Sequence, residues 1–152
     1  SNAGHTIGIH SASHNYEKIY ASVDAFLEDF NEAYEIVLEA TGKAPDIYRF
    51  PGGSVNDYNE KTRDDIIAEM DRRGFTYFDW NVDSNDWQGY GWTTLYTNVL
   101  KDAEEFSSPV ILFHNTGDRD NTVLVIEDII KALKNKGYKF GSLSQKIKPV
   151  QF

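Results

Sequence analysis

Amphipathic helical stretches, several of them ended by a glycine, alternate with short apolar runs along the whole chain, and this alternation restricts it to few folds. Ser22 can N-cap a helix running to about Thr41, with Gly42 as its stop. Phe26, Phe30, Ala33 and Val37 then fall on one face, which should be buried. Residues 61–73 form a second helix with Ile66, Ile67 and Met70 as its stripe and Gly74 as its cap. Residues 92–106 form a third, carrying Leu95, Val99, Leu100 and Ala103, and residues 121–136 a fourth that stops at Gly137. Between them, residues 6–9, 46–50, 75–82, 109–113 and 138–140 read as strands. The unbroken apolar run at 109–113 suggests burial on both faces, as in a parallel sheet. Strand and helix alternating in this way predict an α/β chain with parallel strands.

The 152 residues suit one domain, with no low-complexity linker. Ser1-Asn2-Ala3 is read as a tripeptide left by tag removal, so residues 4–152 carry the fold. Apolar residues make up 40%, enough to bury a core, and no apolar run is long enough to span a membrane. The formal charge of -9 disfavours nucleic acid as a partner and leaves cations and neutral glycans open. The absence of cysteine excludes disulfides and thiolate metal sites.

Polar, chemically capable residues gather where the first four strands end, a spacing of roughly 30–40 residues that suits a barrel of βα units whose loops share one rim. The first cluster is His10-Ser11-Ala12-Ser13-His14. On a helical turn this spacing would put both imidazoles on one side, where they could share a metal; two surface or capping histidines would look the same. The second is Arg49-Phe50-Pro51-Gly52-Gly53, in which proline fixes a turn and glycine lets backbone approach a ligand, although a plain strand-to-helix turn fits equally. The third is Asp83-Ser84-Asn85-Asp86-Trp87, followed by Tyr90 and Trp92. Its carboxylates could orient a histidine and its aromatics stack on sugars, or it could be a solvated acidic loop beside a core tryptophan. The fourth is His114, either an acid–base group or a core histidine, whereas His5 has no such context and is read as structural or surface.

Together and in this order, the four clusters resemble motifs of the polysaccharide deacetylases, carbohydrate esterase family four. His10-Ser11-Ala12-Ser13-His14 is similar to H-S/T-x-x-H, Arg49-Phe50-Pro51-Gly52-Gly53 to R-x-P-x-G, Asp83-Ser84-Asn85-Asp86-Trp87 to D-x-x-D-W, and Leu112-Phe113-His114 to L-x-H. The resemblance implies a (β/α) barrel of the glycoside hydrolase/deacetylase type. It also implies metal-dependent removal of acetyl groups from an N-acetylated glycan, with peptidoglycan ranked first and chitin-type oligosaccharides next. His10 and His14 would hold a divalent metal, zinc being usual in the family. Arg49 would hold the catalytic base, the Gly52 N–H would help stabilise the oxyanion, and Asp86 would orient His114 as general acid. Trp87 would line the groove and Leu112 would shape the pocket for the acetyl methyl. Such enzymes usually act outside the cytoplasm or at the cell wall.

The family's first motif, T-F-D-D-G, which supplies the base and a third metal ligand, is not found in the sequence, and Asp118-Arg119-Asp120 lacks its context. The expectation is therefore a partial barrel, with N-terminal strand or strands missing, that binds metal weakly and is inactive or nearly so. An exposed edge at the strand bearing His10 would favour self-association. The competing readings are a non-catalytic carbohydrate-binding or degenerate deacetylase piece, and a metal-dependent amidase acting on another acylated amine.

Overall fold

The computed structural model describes residues 3–115, 117 and 120–152. Ser1 and Asn2 of the N-terminal tripeptide, and Asp118 and Arg119, lie outside the described residues. The chain divides into two compact units, one made of residues up to Asp79 together with Ser142–Phe152, the other of Trp80–Gly141.

In the first unit a short helix, α1 (Tyr16–Ile19), precedes α2 (Val23–Thr41). α2 starts where the sequence predicts: Ser22 Oγ accepts from the Ala25 N–H at 3.1 Å. It ends where Gly42 adopts φ 67°, a conformation that costs glycine little. Strand β1 (Ile47–Tyr48) pairs in parallel with β2 (Thr76–Tyr77), with α3 (Arg63–Arg72) between them in sequence. Ile9 adds a parallel bridge to Tyr48 on the other side of β1, donating to Ile47 O at 3.0 Å and accepting from Arg49 N at 2.9 Å. The expected strand at 6–9 is thus reduced to this bridge. The core is aromatic: Phe26 and Phe30 from α2 meet Tyr48, Phe26 also meets Phe50, and Phe50 meets Tyr77, with Ile66 and Met70 of α3 in the same cluster.

In the second unit β3 (Val82–Asp83) pairs in parallel with β4 (Ile111–Leu112). Helices α4 (Trp92–Ala103) and α5 (Asp120–Asn135) supply Leu95, Val99, Ala103, Val125, Ile129 and Leu133 to the core around Val82. Among the described residues no helix is long and apolar enough to cross a membrane.

The parallel α/β organisation holds, but beyond the strand at 6–9 two further strand expectations do not. Residues 75–82 form no continuous strand, because the Asp79 N–H donates to Val150 O at 2.8 Å and the Asn81 side chain accepts from Val110 N at 2.7 Å. These bonds take the backbone out of one ladder, leaving β2 and β3 as separate pieces in separate pairs. Residues 138–140 form no strand either. The Tyr138 N–H closes the end of α5 on Leu133 O at 3.1 Å, with Gly137 at φ 92°, so the strand's first donor serves a helix terminus. The Tyr138 hydroxyl donates to Ala103 O at 2.9 Å.

Candidate active site

The His10–His14 segment lies just past the Ile9 bridge and is not a helical turn. It curls around a buried carboxylate from α2. Ser11 Oγ donates to Asp29 Oδ2 at 2.6 Å, Ala12 N to the same oxygen at 3.0 Å, and Ser13 N to Oδ1 at 2.9 Å. Burial pushes the Asp29 carboxyl up, but the bonds from Ser11, Ser13 and Ala12 outweigh it and hold the group below its ordinary value. His14 takes φ 52° and its N–H donates to Ser11 Oγ at 2.8 Å. The loop, rather than a helix, brings the rings together, with centroids 5.2 Å apart. His10 Nδ1 lies 2.9 Å from Arg49 O, and since a carbonyl only accepts, this nitrogen carries the proton in the neutral ring and Nε2 carries the lone pair.

The Arg49-Phe50-Pro51-Gly52-Gly53 turn leaves β1 at the same edge as His10 leaves Ile9, because the two segments run parallel. The Pro51 carbonyl accepts from the buried Tyr20 hydroxyl at 2.6 Å, and Asn56 Nδ2 donates to Gly53 O at 2.9 Å. Ser54 is pinned by Asp79, donating through N at 2.9 Å and through Oγ at 2.6 Å. Arg49 Nε donates to Phe78 O at 3.0 Å. Burial lowers the Arg49 pKa, and the charge of Asp79 opposes the shift. Gly52, exposed at the turn's tip, has φ 76°.

In the second unit the loops after β3 and β4 leave from one edge, and they bring Asp86 to His114. Asp86 opens a 3-10 turn, Asp86–Gln88, and is 1% exposed. Its Oδ1 lies 2.7 Å from His114 Nδ1, while Oδ2 accepts from His114 N at 2.8 Å and from Thr122 Oγ1 at 2.9 Å. Burial raises the Asp86 carboxyl, yet these donors and the nearby imidazole bring it below its ordinary value. Leu112 is buried on β4, paired with Asp83. Trp87 presents over half its surface to solvent, at 55% exposure, so it is no core tryptophan. Tyr90 is bonded to Gln88, and Trp92 stacks on Tyr96 at 5.0 Å as part of α4. His5 is exposed, as expected.

The sequence did not single out Asp29, Asp79, Tyr20 or Thr122. Asp29 and Thr122 did leave a signal, since each is a polar residue at a core position of an amphipathic helix, beside Phe26 and Phe30 in α2 and three before Val125 in α5.

The two imidazoles fit a shared metal ion. A ring nitrogen about 2.1 Å from zinc puts its ring centre about 3 Å out, so two rings at a tetrahedral angle stand about 5 Å apart. The observed 5.2 Å agrees. The Nδ1–H to carbonyl bond of His10 is of the kind that orients metal-binding histidines in general. Among the described residues no group of three His, Cys, Asp or Glu side chains gathers that could hold a metal ion.

The polysaccharide deacetylase family pattern matches residues 1–75. A peptidoglycan-N-acetylglucosamine deacetylase of Bacillus cereus is 32% identical over 143 residues, 90% of this chain and 50% of that protein. The catalytic domain of peptidoglycan N-acetylglucosamine deacetylase from Eubacterium rectale superposes with TM-score 0.92 at 32% identity, covering 99% of this chain and 70% of that one. The polysaccharide deacetylase Bc1974 from Bacillus cereus gives TM-score 0.82 at 32% identity, covering 99% and 73%. The chain belongs to the polysaccharide deacetylase family. It spans about half the length of the curated relatives it matches first.

Proposed function

We propose that this chain contributes metal ligands, acid and oxyanion groups to the hydrolytic deacetylation of an N-acetylated glycan, peptidoglycan first and chitin-type chains second. The proposal is carried by the convergence of His10 and His14, whose ring centroids stand 5.2 Å apart, a separation that two ligands of one metal ion can take. The names of the relatives support the substrate class. A divalent ion, zinc by the resemblance to the family, would supply Lewis acidity toward the acetyl carbonyl and toward water.

His10 and His14 would hold that ion, the first fixed in its tautomer by Arg49 O. The Gly52 N–H donates to the developing oxyanion from a turn that Tyr20, Asn56 and Asp79 keep rigid. Arg49, anchored through Phe78 O, orients the catalytic base. Asp86 accepts a hydrogen bond from His114 Nδ1 and so orients the ring, which in its protonated form would give its Nε2 proton to the departing amine. Exposed Trp87 lines the glycan groove and Leu112 shapes the acetyl pocket. The (β/α)-barrel fold, a location outside the cytoplasm or at the cell wall, and self-association through the edge at Ile9 belong to the same proposal. No T-F-D-D-G segment occurs in the 152 residues, so these residues by themselves are expected to bind zinc weakly and to turn over little substrate.

Zinc titration by calorimetry, on this chain and on a His10→Ala/His14→Ala variant, tests the reading. Weak binding that the variant abolishes supports it. Absence of binding by either protein removes the metal site. Metal-dependent turnover of acetylated glycan at a normal enzymatic rate by this chain would refute the expected inactivity.

A further inference from the structure

Asp29 sits in the middle of α2, 2% exposed, flanked by Phe26, Phe30 and Ala33 of the aromatic core. A hydrophobe of similar size would serve packing there at least as well, because a buried carboxylate must be matched by donors to be tolerated. The three donors come from consecutive residues, Ser11 through Oγ and Ala12 and Ser13 through their N–H groups, which are the residues between the two histidines. Ser11 also accepts the His14 N–H at 2.8 Å, so a relay of two bonds runs from Asp29 to the backbone of His14. That backbone is left-handed at φ 52°, a region a non-glycine residue occupies only when its surroundings hold it there.

We propose that Asp29 is the positioning residue of the histidine pair: a carboxylate in the core of α2 that shapes the loop so that His10 and His14 face one another as metal ligands. This rests on the metal-holding reading above, and extends it to a residue in none of the four motifs. Asp29 acts through Ser11, Ala12 and Ser13. Without it the loop loses three bonds at once, and nothing in the sequence of Ser11-Ala12-Ser13 would by itself favour the curled path.

The test uses the whole chain and two readouts, zinc affinity by calorimetry and, in metal-free protein, the nuclear Overhauser effect between the His10 and His14 ring protons. Asp29→Asn keeps the volume but gives one half of the acceptor a donor's character. It is expected to weaken zinc about tenfold or more, the usual consequence of losing an outer partner of a ligand. The ring–ring effect should fade while the Phe26 and Phe30 resonances stay in place. Ser11→Ala, which leaves the core carboxylate alone, should act in the same direction and serves if Asp29→Asn does not fold. Wild-type zinc affinity together with an unchanged ring–ring effect in folded Asp29→Asn, or in Ser11→Ala if that variant alone folds, would overturn the proposal. If the wild-type chain binds no zinc but the ring–ring effect still depends on Asp29, the metal reading fails and the positioning role stands.

Discussion

Asp86 grips His114 at two points, with Oδ1 2.7 Å from the ring Nδ1 and Oδ2 accepting the backbone N–H of the same residue at 2.8 Å. The carboxylate therefore fixes both the tautomer and the place of the residue in the chain, with Thr122 Oγ1 completing the set at 2.9 Å. Asp86→Ala would strand buried donors, and a loss of about 2–4 kcal/mol is expected in urea unfolding. Asp86→Asn offers only one oxygen to the same donors. Nitrogen NMR of His114 should then show a mixture of tautomers in place of the Nδ1–H form. An unchanged tautomer in that variant would mean that the carboxylate does not select it.

The same carboxylate gives the chain an acid limit. Burial pushes its pKa up, but the His114 N–H, the His114 ring and Thr122 more than offset that, so the folded value is depressed. A depressed carboxyl stabilises fully above its unfolded pKa, about 3.9, and loses that contribution as pH falls through the folded value. Urea midpoints should therefore drop as pH is lowered through about 4 and below, and Asp86→Asn should flatten that limb. Equal acid slopes in the two proteins would show that other groups set the limit.

The helices were readable because their signals are local. Ser22 and Gly42 bound α2 as their chemistry requires, and Gly74 and Gly137 stand at the ends of α3 and α5 with positive φ. Strand lengths were not readable, because they depend on partners far away in sequence: Val150 takes the Asp79 N–H and Asn81 takes the Val110 N–H. The candidate site residues are named by type and order alone, and the helical turn expected at His10–His14 is a loop. Their convergence comes from Asp29, fifteen or more positions away, rather than from a helical turn. Asp29 itself was hidden in plain view as an acidic residue on an apolar helix face.

Tyr48 carries a hydroxyl that the fold does not use. Its ring packs between Phe26, Phe30 and Phe50, and its Oη is buried without a hydrogen-bond partner among the described residues. Burial drives the phenol pKa well up, in keeping with a group held away from water. Since a buried hydroxyl without a partner costs about 1–3 kcal/mol, Tyr48→Phe should leave stability unchanged or raise it by about 1 kcal/mol. A thermal melt decides: a clear fall in Tm would reveal a partner for this hydroxyl in solution.

Gly52, the proposed oxyanion donor, is tied to the histidine loop through Tyr16. At φ 76° the position disfavours any side chain, and a Cβ there would meet the Cε2, Cζ and Oη atoms of Tyr16 at 3.2 Å. Any shift of the Tyr16 ring is passed to its ring neighbours, His14 at 5.2 Å and Tyr58 at 5.3 Å, centroid to centroid. Gly52→Ala should therefore cost about 1–3 kcal/mol and also move the His14 ring resonances. In a Tyr16→Ala background the backbone part of that cost remains while the contact part disappears, so the double-mutant cycle should show a coupling of at least about 0.5 kcal/mol. Strict additivity, with His14 undisturbed by Gly52→Ala, would mean that the turn and the histidine loop are mechanically separate. A positive coupling would place the oxyanion donor and a metal ligand on one packed unit, in which a single methyl group at position 52 disturbs both.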